Sequence, residues 1–205
     1  MTGADLDEAL RRAQAGDSAA FRLLYRDLQP RLLRYLTALA GQDAEDIASE
    51  TWLQVTRDLT GFTGTYDGFR GWVTTIARHR ALDHLRRTQR KPALPVPAED
   101  LAAFPATGHA ADTAQDAVDA VATQNAIALI ATLPPEQAEA VLLRAVLGLD
   151  ATTAATILGK RPGAIRTAAS RGLHTLHRRL NQKAKEPPLT DPVTQTRDLA
   201  LKDVR

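Results

Sequence analysis

Apolar residues recur along this 205-residue chain at intervals of three and four, the spacing of amphipathic helices. Leu6, Leu10 and Ala13 form a first short stripe that ends at Gly16, a C′ residue, and Asp17 is suited to N-cap the next helix. Phe21, Leu24, Tyr25 and Leu28 continue the pattern. Leu32, Tyr35, Leu36 and Leu39 resume it after Pro30, and Gly41 closes it. A further helix is predicted from about Asp43 to Leu59, followed by the glycine-rich loop "TGFTGTYDG" (60–68). The stretch "GFRGWVTTIARHRALDHLRR" (68–87) is a helix whose Phe69, Trp72, Val73, Ile76, Ala77, Ala81 and Leu85 face a core.

The periodicity stops at "PALPVPAEDLAAFPATGHAADT" (92–113), whose four prolines predict an extended linker. It returns with Val118, Val121, Ala122, Ile127, Ile130 and Leu133. Pro134 and Pro135 open another helix, and Gly148 ends it. A short helix over 151–158, Gly159 and a longer helix over 162–180 follow, in the layout of a helix-turn-helix. Asp150 is its N-cap, Gly159 its positive-φ turn and Pro162 the first residue of the second helix. On that second helix Ile165, Ala169, Gly172, Leu173, Leu176 and Leu180 project to one side. Gly163, Ala164, Thr167, Ser170, Arg171, His174 and Arg178 project to the other. The expected architecture is all-α: a helical domain over 1–90, a linker over 91–114, a helix-turn-helix domain over 115–182 and a tail over 183–205.

Composition narrows the class. Aromatics make up only 4% of the chain and β-branched runs are missing, which fits helices alone. With no cysteine, disulfide scaffolds and thiolate metal sites are excluded. No apolar run approaches a membrane span, and the first residues lack the layout of a secretory signal. The expectation is a cytoplasmic protein that does not insert in membranes. The net charge of +2 conceals blocks. Residues 43–50 hold four acids and no base, 70–91 hold seven bases and one acid, 92–132 five acids and no base, and 151–185 eight bases and no acid. Taken together these blocks point to one acidic docking face and two polyanion-binding faces.

On a helix Asp43, Asp46 and Glu50 share a face, suited to a basic partner or to plain solvation near a helix N-terminus. Small and hydroxylated residues with Arg on the helix over 162–180 are what close approach to base edges requires. On the helix over 68–87, Gly71, Thr75, Arg78, His79, Leu82 and Arg86 lie opposite the aromatic stripe. A basic face beside a glycine-rich aromatic loop suits phosphates and unstacked bases. His79 and Asp83 lack a third ligand at metal-binding spacing. The glycines of 61–71 lie between helices and make no phosphate loop. No nucleophile–base pair stands out, no cofactor is called for, and the expectation is a non-enzyme.

The segments "GDSAAFRLLY" (16–25), "DAEDIASETWLQV" (43–55), "FRGWVTTIARHRALDHLRR" (69–87) and "LPPEQAEAVLLRAVLGLDATTAATILGKRPGAIRTAASRGLHTL" (133–176) resemble, in order, bacterial sigma factors of the sigma-70 family. The likeness is to the two-domain extracytoplasmic-function (ECF) group. It implies a dissociable subunit, monomeric when free, that directs core RNA polymerase to promoters and helps melt them. Asp43, Asp46, Ile47, Glu50 and Gln54 would contact the polymerase β′ clamp, and the second domain the β flap. Phe62, Thr63, Tyr66, Thr75, Arg78, His79, Arg86 and Arg87 would bind the −10 element, with Phe62 to Gly68 lining a pocket for an extruded base. Lys160, Arg161, Ala164, Arg166, Thr167, Ser170, Arg171 and His174 would read the −35 element. The acidic linker would thread toward the active-site and RNA-exit channels. An anti-sigma factor is a further candidate partner. The chain departs from the family pattern at Ser49, where Gln is common, and at His79, where Asn is frequent. The alternative reading is a helix-turn-helix regulator that acts without joining the polymerase, which would need neither the acidic helix nor the linker.

Overall fold

A computed structural model describes the backbone over residues 2–90 and 114–185, and side chains over 2–88 and 122–182. The expected linker and tail therefore lie, except at their edges, outside the described residues. All regular structure among the described residues is helical. Helix α1 (Gly3–Gln14) opens with a capping box: the Thr2 hydroxyl accepts from Asp5 N, and Thr2 N donates to the Asp5 carboxylate at 2.8 Å. Gly16, at φ 94°, makes the turn into α2 (Ser18–Ala40). Asp17 caps α2 by accepting from Ala19 N and Ala20 N. The Ala20 amide bond, with the Arg12 guanidinium beside it, holds the Asp17 carboxyl below its ordinary range.

The sequence pattern breaks at Pro30, but α2 runs through it as one helix of 23 residues. Pro30 is exposed, and an internal proline costs a helix about 3 kcal/mol. Leu24, Leu28, Leu32, Tyr35 and Leu36 are all fully buried on both sides of it, and that continuous stripe holds the helix together. After a 3₁₀ turn at Gly41–Asp43 come α3 (Ala44–Asp58), a second such turn at Leu59–Gly61, and α4 (Tyr66–Arg90). Helices α1 to α4 enclose the first core, where Val55, Phe69, Val73, Ala77 and Ala81 meet the α2 leucines with no exposure.

The second unit comprises α5 (Ala114–Ala131), α6 (Pro135–Val141), α7 (Ala151–Leu158) and α8 (Pro162–Lys185). Pro135 is the first residue of α6, as its fixed φ favours. Helix α6 continues into a π turn over Leu142–Val146, in which Leu147 N donates to Leu142 O at 3.0 Å. Gly148 (φ 67°) ends it, and the Asp150 carboxylate accepts from Thr152 N, Thr153 N and the Thr153 hydroxyl. These bonds, the hydroxyl first, hold the Asp150 carboxyl below its ordinary range, so Thr153 supports this cap. Gly159 is left-handed (φ 64°), as the turn between α7 and α8 requires. On α8, Ile165, Ala169 and Leu176 are buried against α6 and α7, whereas Leu173 and Leu180 are 48% and 55% exposed. A stripe spaced at three and four drifts around a 24-residue helix, and α6 covers only part of it.

Where α6 and α8 cross, Gly172 brings the backbones together. A Cβ at Gly172 would lie 2.7 Å from Val141 Cγ2 and 3.3 Å from Leu133 Cδ1. Val141 is β-branched and buried, and cannot swing aside. Gly172→Ala should therefore destabilise the second unit by about 1–3 kcal/mol, the strain of overpacking exceeding the gain in helix propensity. Gly163→Ala, which meets open space, should be neutral or slightly stabilising. Thermal unfolding of the two variants checks both signs.

Candidate functional site

The acidic helix and the basic helix expected to serve different partners line a single groove. Asp46, Glu50 and Gln54 of α3 face His79, Arg80, Asp83, His84 and Arg87 of α4 across it. Arg80 spans the gap, donating to Glu50 at 2.8 Å and to Gln54 at 2.9 Å. His84 Nε2 lies 2.9 Å from an Asp43 carboxylate oxygen. Asp46 is exposed and has no ion-pair partner among the described residues. Ile47 is 3% exposed and belongs to the core, reaching only the floor of this groove. The acidic face is thus Asp46 and Glu50 with Asp43 at its end. Arg80 offsets part of its charge, a role that the projection of one helix alone does not reveal.

The loop before α4 is held from outside. Gln14, at the end of α1, donates to Phe62 O at 2.6 Å and to Leu59 O at 3.1 Å. Asp7 of α1 accepts from Tyr66 N at 2.6 Å. Phe62 is half-buried and stacks on Trp72 with centroids 5.2 Å apart, while Thr63 and Gly64 are exposed. Gly64, at φ 144°, makes the bend that folds the loop over the Phe62 ring. Tyr66 was expected to reach bases; it is 5% exposed instead, lying against Phe69, with its hydroxyl donating to Asp27 at 2.6 Å. Burial, with the Asp27 carboxylate next, pushes that phenol well above its ordinary range, so it is a fixed donor. A tyrosine at the first turn of an amphipathic helix packs inward unless something draws it out. The residues that hold the loop, Asp7, Gln14 and Asp27, sit on helices far away in sequence and carry no local signal.

The rest of the expected −10 set is divided among several neighbours. His79 and Arg87 are exposed along the groove. Arg86 pairs with Asp83 at 2.9 Å, three residues back on the same surface. Thr75 donates to Gly71 O, and Arg78 is engaged by Glu139 of α6. In the second unit Arg161, just before α8, and Ala164, Arg166, Thr167, Ser170, Arg171 and His174 on it are all exposed. Lys160 is exposed as well and pairs with Glu136. One flank of this face (Ala164, Thr167, Arg171) borders Glu136 and Gln137, and the other (Arg166, Ser170) borders Arg144. The first turn of α8 carries no acid. The arrangement offers small side chains at the centre and guanidinium groups at both edges, the profile of a helix that enters a major groove. No cluster of three or more metal-ligating side chains occurs among the described residues.

A four-helix unit with an acidic face, followed by a helix-turn-helix unit with a basic one, defines a class of helical DNA-reading protein that also docks on a protein. The Sigma-70 region 2 family model matches residues 24–91 and the Sigma-70 region 4 model residues 123–176. The ECF RNA polymerase sigma factor BldN of Streptomyces coelicolor is 33% identical over 180 residues, spanning 87% of this chain and 67% of BldN. The ECF RNA polymerase sigma factor SigD of Mycobacterium tuberculosis (strain ATCC 25618 / H37Rv) is 32% identical over 183 residues, 86% of this chain and 84% of SigD. Among solved structures, CnrH in complex with the cytosolic domain of CnrY shares the fold, with a TM-score of 0.59 at 17% identity over 87% of this chain and 98% of that one. The sigma factor RpoE in complex with the anti-sigma factor NepR, from Bartonella quintana, does so at a TM-score of 0.56 and 23% identity over 78% and 96%. The chain belongs to the sigma-70 family, in its ECF group.

The family match begins at residue 24, so α1 and its hold on the loop lie outside it. Asp7→Ala should raise the exchange rate of the Tyr66 amide by about tenfold, the loss of one charge-assisted bond. Amides in the middle of α2 should be unchanged. Hydrogen exchange read by NMR checks this, and an unchanged Tyr66 amide would refute the tether.

Proposed function

We propose that the chain acts as a dissociable, non-catalytic initiation subunit, which binds core RNA polymerase through α3, opens the −10 element with α4 and its preceding loop, and reads the −35 element with α8. The observation that carries this reading is the pairing, in one chain, of an exposed acidic face on the first unit with an exposed basic face on the second, whose helix α8 itself holds no acid. A DNA-binding regulator that works alone has no use for the first. Asp43, Asp46, Glu50 and Gln54 form the surface for the β′ clamp, and the second unit meets the β flap. Phe62, Thr63, Thr75, Arg78, His79, Arg86 and Arg87 serve the melted strand, and Lys160, Arg161, Ala164, Arg166, Thr167, Ser170, Arg171 and His174 the −35 duplex. Residues 1–90 and 115–182 are the two working domains, and 91–114 spans the distance between their DNA elements. RpoE was solved with the anti-sigma factor NepR, and a partner of the anti-sigma kind is proposed here. No helix among the described residues is long and apolar enough to cross a membrane; the proposed place of action is the cytoplasm, beside the nucleoid.

Binding to free DNA should be weak and salt-sensitive, because phosphate contacts dominate and neither face alone spans a promoter. Run-off transcription on fragmented genomic DNA with purified core polymerase tests the function and recovers the promoters. Asp46→Lys should lower co-elution with core polymerase at least tenfold and leave the helical circular dichroism unchanged. Arg171→Ala should preserve core binding and cost about 1–3 kcal/mol at −35 sequences, with specificity relaxed at one position. Wild-type protein that never co-elutes with core enzyme would instead support the stand-alone regulator.

A further inference from the structure

The loop before α4 takes its shape from α1. Asp7 and Gln14 stand seven residues apart on that helix, about two turns, so their side chains line up along one edge. Leu6, Leu10 and Ala13 beside them are buried and anchor α1 in the first core. Gln14 Nε2 donates to Leu59 O at 3.1 Å and to Phe62 O at 2.6 Å, bracketing the second 3₁₀ turn. The Asp7 carboxylate accepts from Tyr66 N at 2.6 Å, so α1 satisfies the first amide of α4, which that helix cannot satisfy itself. On its other side Tyr66 is pinned through its hydroxyl, which donates to Asp27 of α2 at 2.6 Å. Between these ties lie Thr63 and Gly64, both exposed, whose backbone groups make no hydrogen bond among the described residues. The Phe62 ring packs against this tip, where a Cβ at Gly64 would lie 3.2 Å from Phe62 Cζ.

We propose that Asp7 and Gln14 are positioning residues for promoter opening, which set the loop around Phe62 in its base-receiving shape before DNA arrives and do not touch DNA themselves. The proposal rests on the reading of that loop given above. Three observations lead to it. The ties fall on Leu59, Phe62 and Tyr66, on either side of the exposed tip, and on no residue of the tip. They take up two carbonyls and one amide, and so decide which backbone groups are left for a base edge, those of Thr63 and Gly64. The third is the softness of the loop itself, since Gly61, Gly64 and Gly68 give it wide conformational freedom once the ties are gone. Extruding a base costs its stacking and pairing. A loop that had to be ordered at the same moment would add to that barrier and blur the choice among bases.

Substitutions in α1 test this in the holoenzyme, on a promoter recovered by run-off transcription. Wild-type protein first locates the extruded position, as the −10 base whose replacement most slows opening, read by 2-aminopurine fluorescence at a neighbouring base. Gln14→Glu turns a donor into an acceptor facing two carbonyls, and Asp7→Ala removes the acceptor of the Tyr66 amide. Each should slow opening about tenfold with the preferred base, as misplacement at a distance does. Each should also cut the preference for that base over the other three by about threefold or more, with co-elution with core polymerase and the −35 preference unchanged. Asp7→Asn keeps an acceptor for the Tyr66 amide and should stay within about twofold of wild type on both counts. Glu8→Ala, on the exposed side of α1, should change neither. A merely structural tie would lower transcription by the same factor whatever the base, and that result would overturn the proposal. So would Asp7→Asn performing no better than Asp7→Ala, a comparison that stands even if Gln14→Glu does not fold. Wild-type holoenzyme that initiates without any base preference in the −10 element sinks the reading of the loop, and wild-type protein that never initiates sinks the sigma-factor reading. Either takes the positioning role with it, whereas undiminished discrimination in the variants refutes that role alone.

Discussion

Phe62, Phe69 and Trp72 pack edge-to-face and stacked, with centroids 5.2–6.0 Å apart, and this cluster sets the rotation of α4 about its axis. Everything that α4 does follows from that rotation. With Phe69, Val73 and Ala77 turned to the core, a turn of 100° per residue sends Arg70 and Arg78 toward the second unit and Arg80 toward α3. Arg86 and Arg87 are left at the open end. The crowd of arginines on a half-buried helix is therefore no single basic face, since Arg70, Arg78, Arg80 and Arg86 each have a different neighbour. Partly buried pairs such as Arg78–Glu139 add little net stability, because desolvation offsets the attraction. Their effect is to fix which surfaces meet.

How much of this was legible in the sequence depended on whether the signal was local. Caps and glycine turns are local: Asp17, Asp150, Gly16, Gly148 and Gly159 all stand where their chemistry places them. So is the exposed basic face of α8, because small residues and arginine recur there at helical spacing. Pro30 misled because its effect on a helix is local, whereas the leucine stripe that overrides it is sealed by α1, α3 and α4. Ile47 and Tyr66 misled in the opposite direction. A place on a functional motif does not exempt an apolar side chain from the core, and both are buried. Leu173 and Leu180 show the remaining gap, since periodicity says which side of a helix is apolar and not how far its neighbour extends. The groove that unites the acidic and basic helices, and the tethers from α1, are contacts between distant segments and left no trace in either one.

The two basic stretches, alike in composition, differ once their partners are known. In α4 the described ion pairs engage Arg70, Arg78, Arg80 and Arg86, so much of its charge is spent within the protein. In α8 no described ion pair involves Arg161, Arg166 or Arg171, and Lys160 just before it pairs only with exposed Glu136. Charge left in water is free to displace the counterions of a polyanion, so α8 is the better placed of the two for a salt-dependent contact. Helix α4 would first have to break internal pairs.

The seam between the units draws on the same arginines. Arg78 meets Glu139, and Arg70 meets the carbonyls of Leu147 and Gly148, so the guanidinium groups on the side of α4 turned to the second unit are already engaged. Glu50 and Asp46 lie on the other side of α4, across the groove. A partner can therefore grip the acidic face without first displacing the second unit.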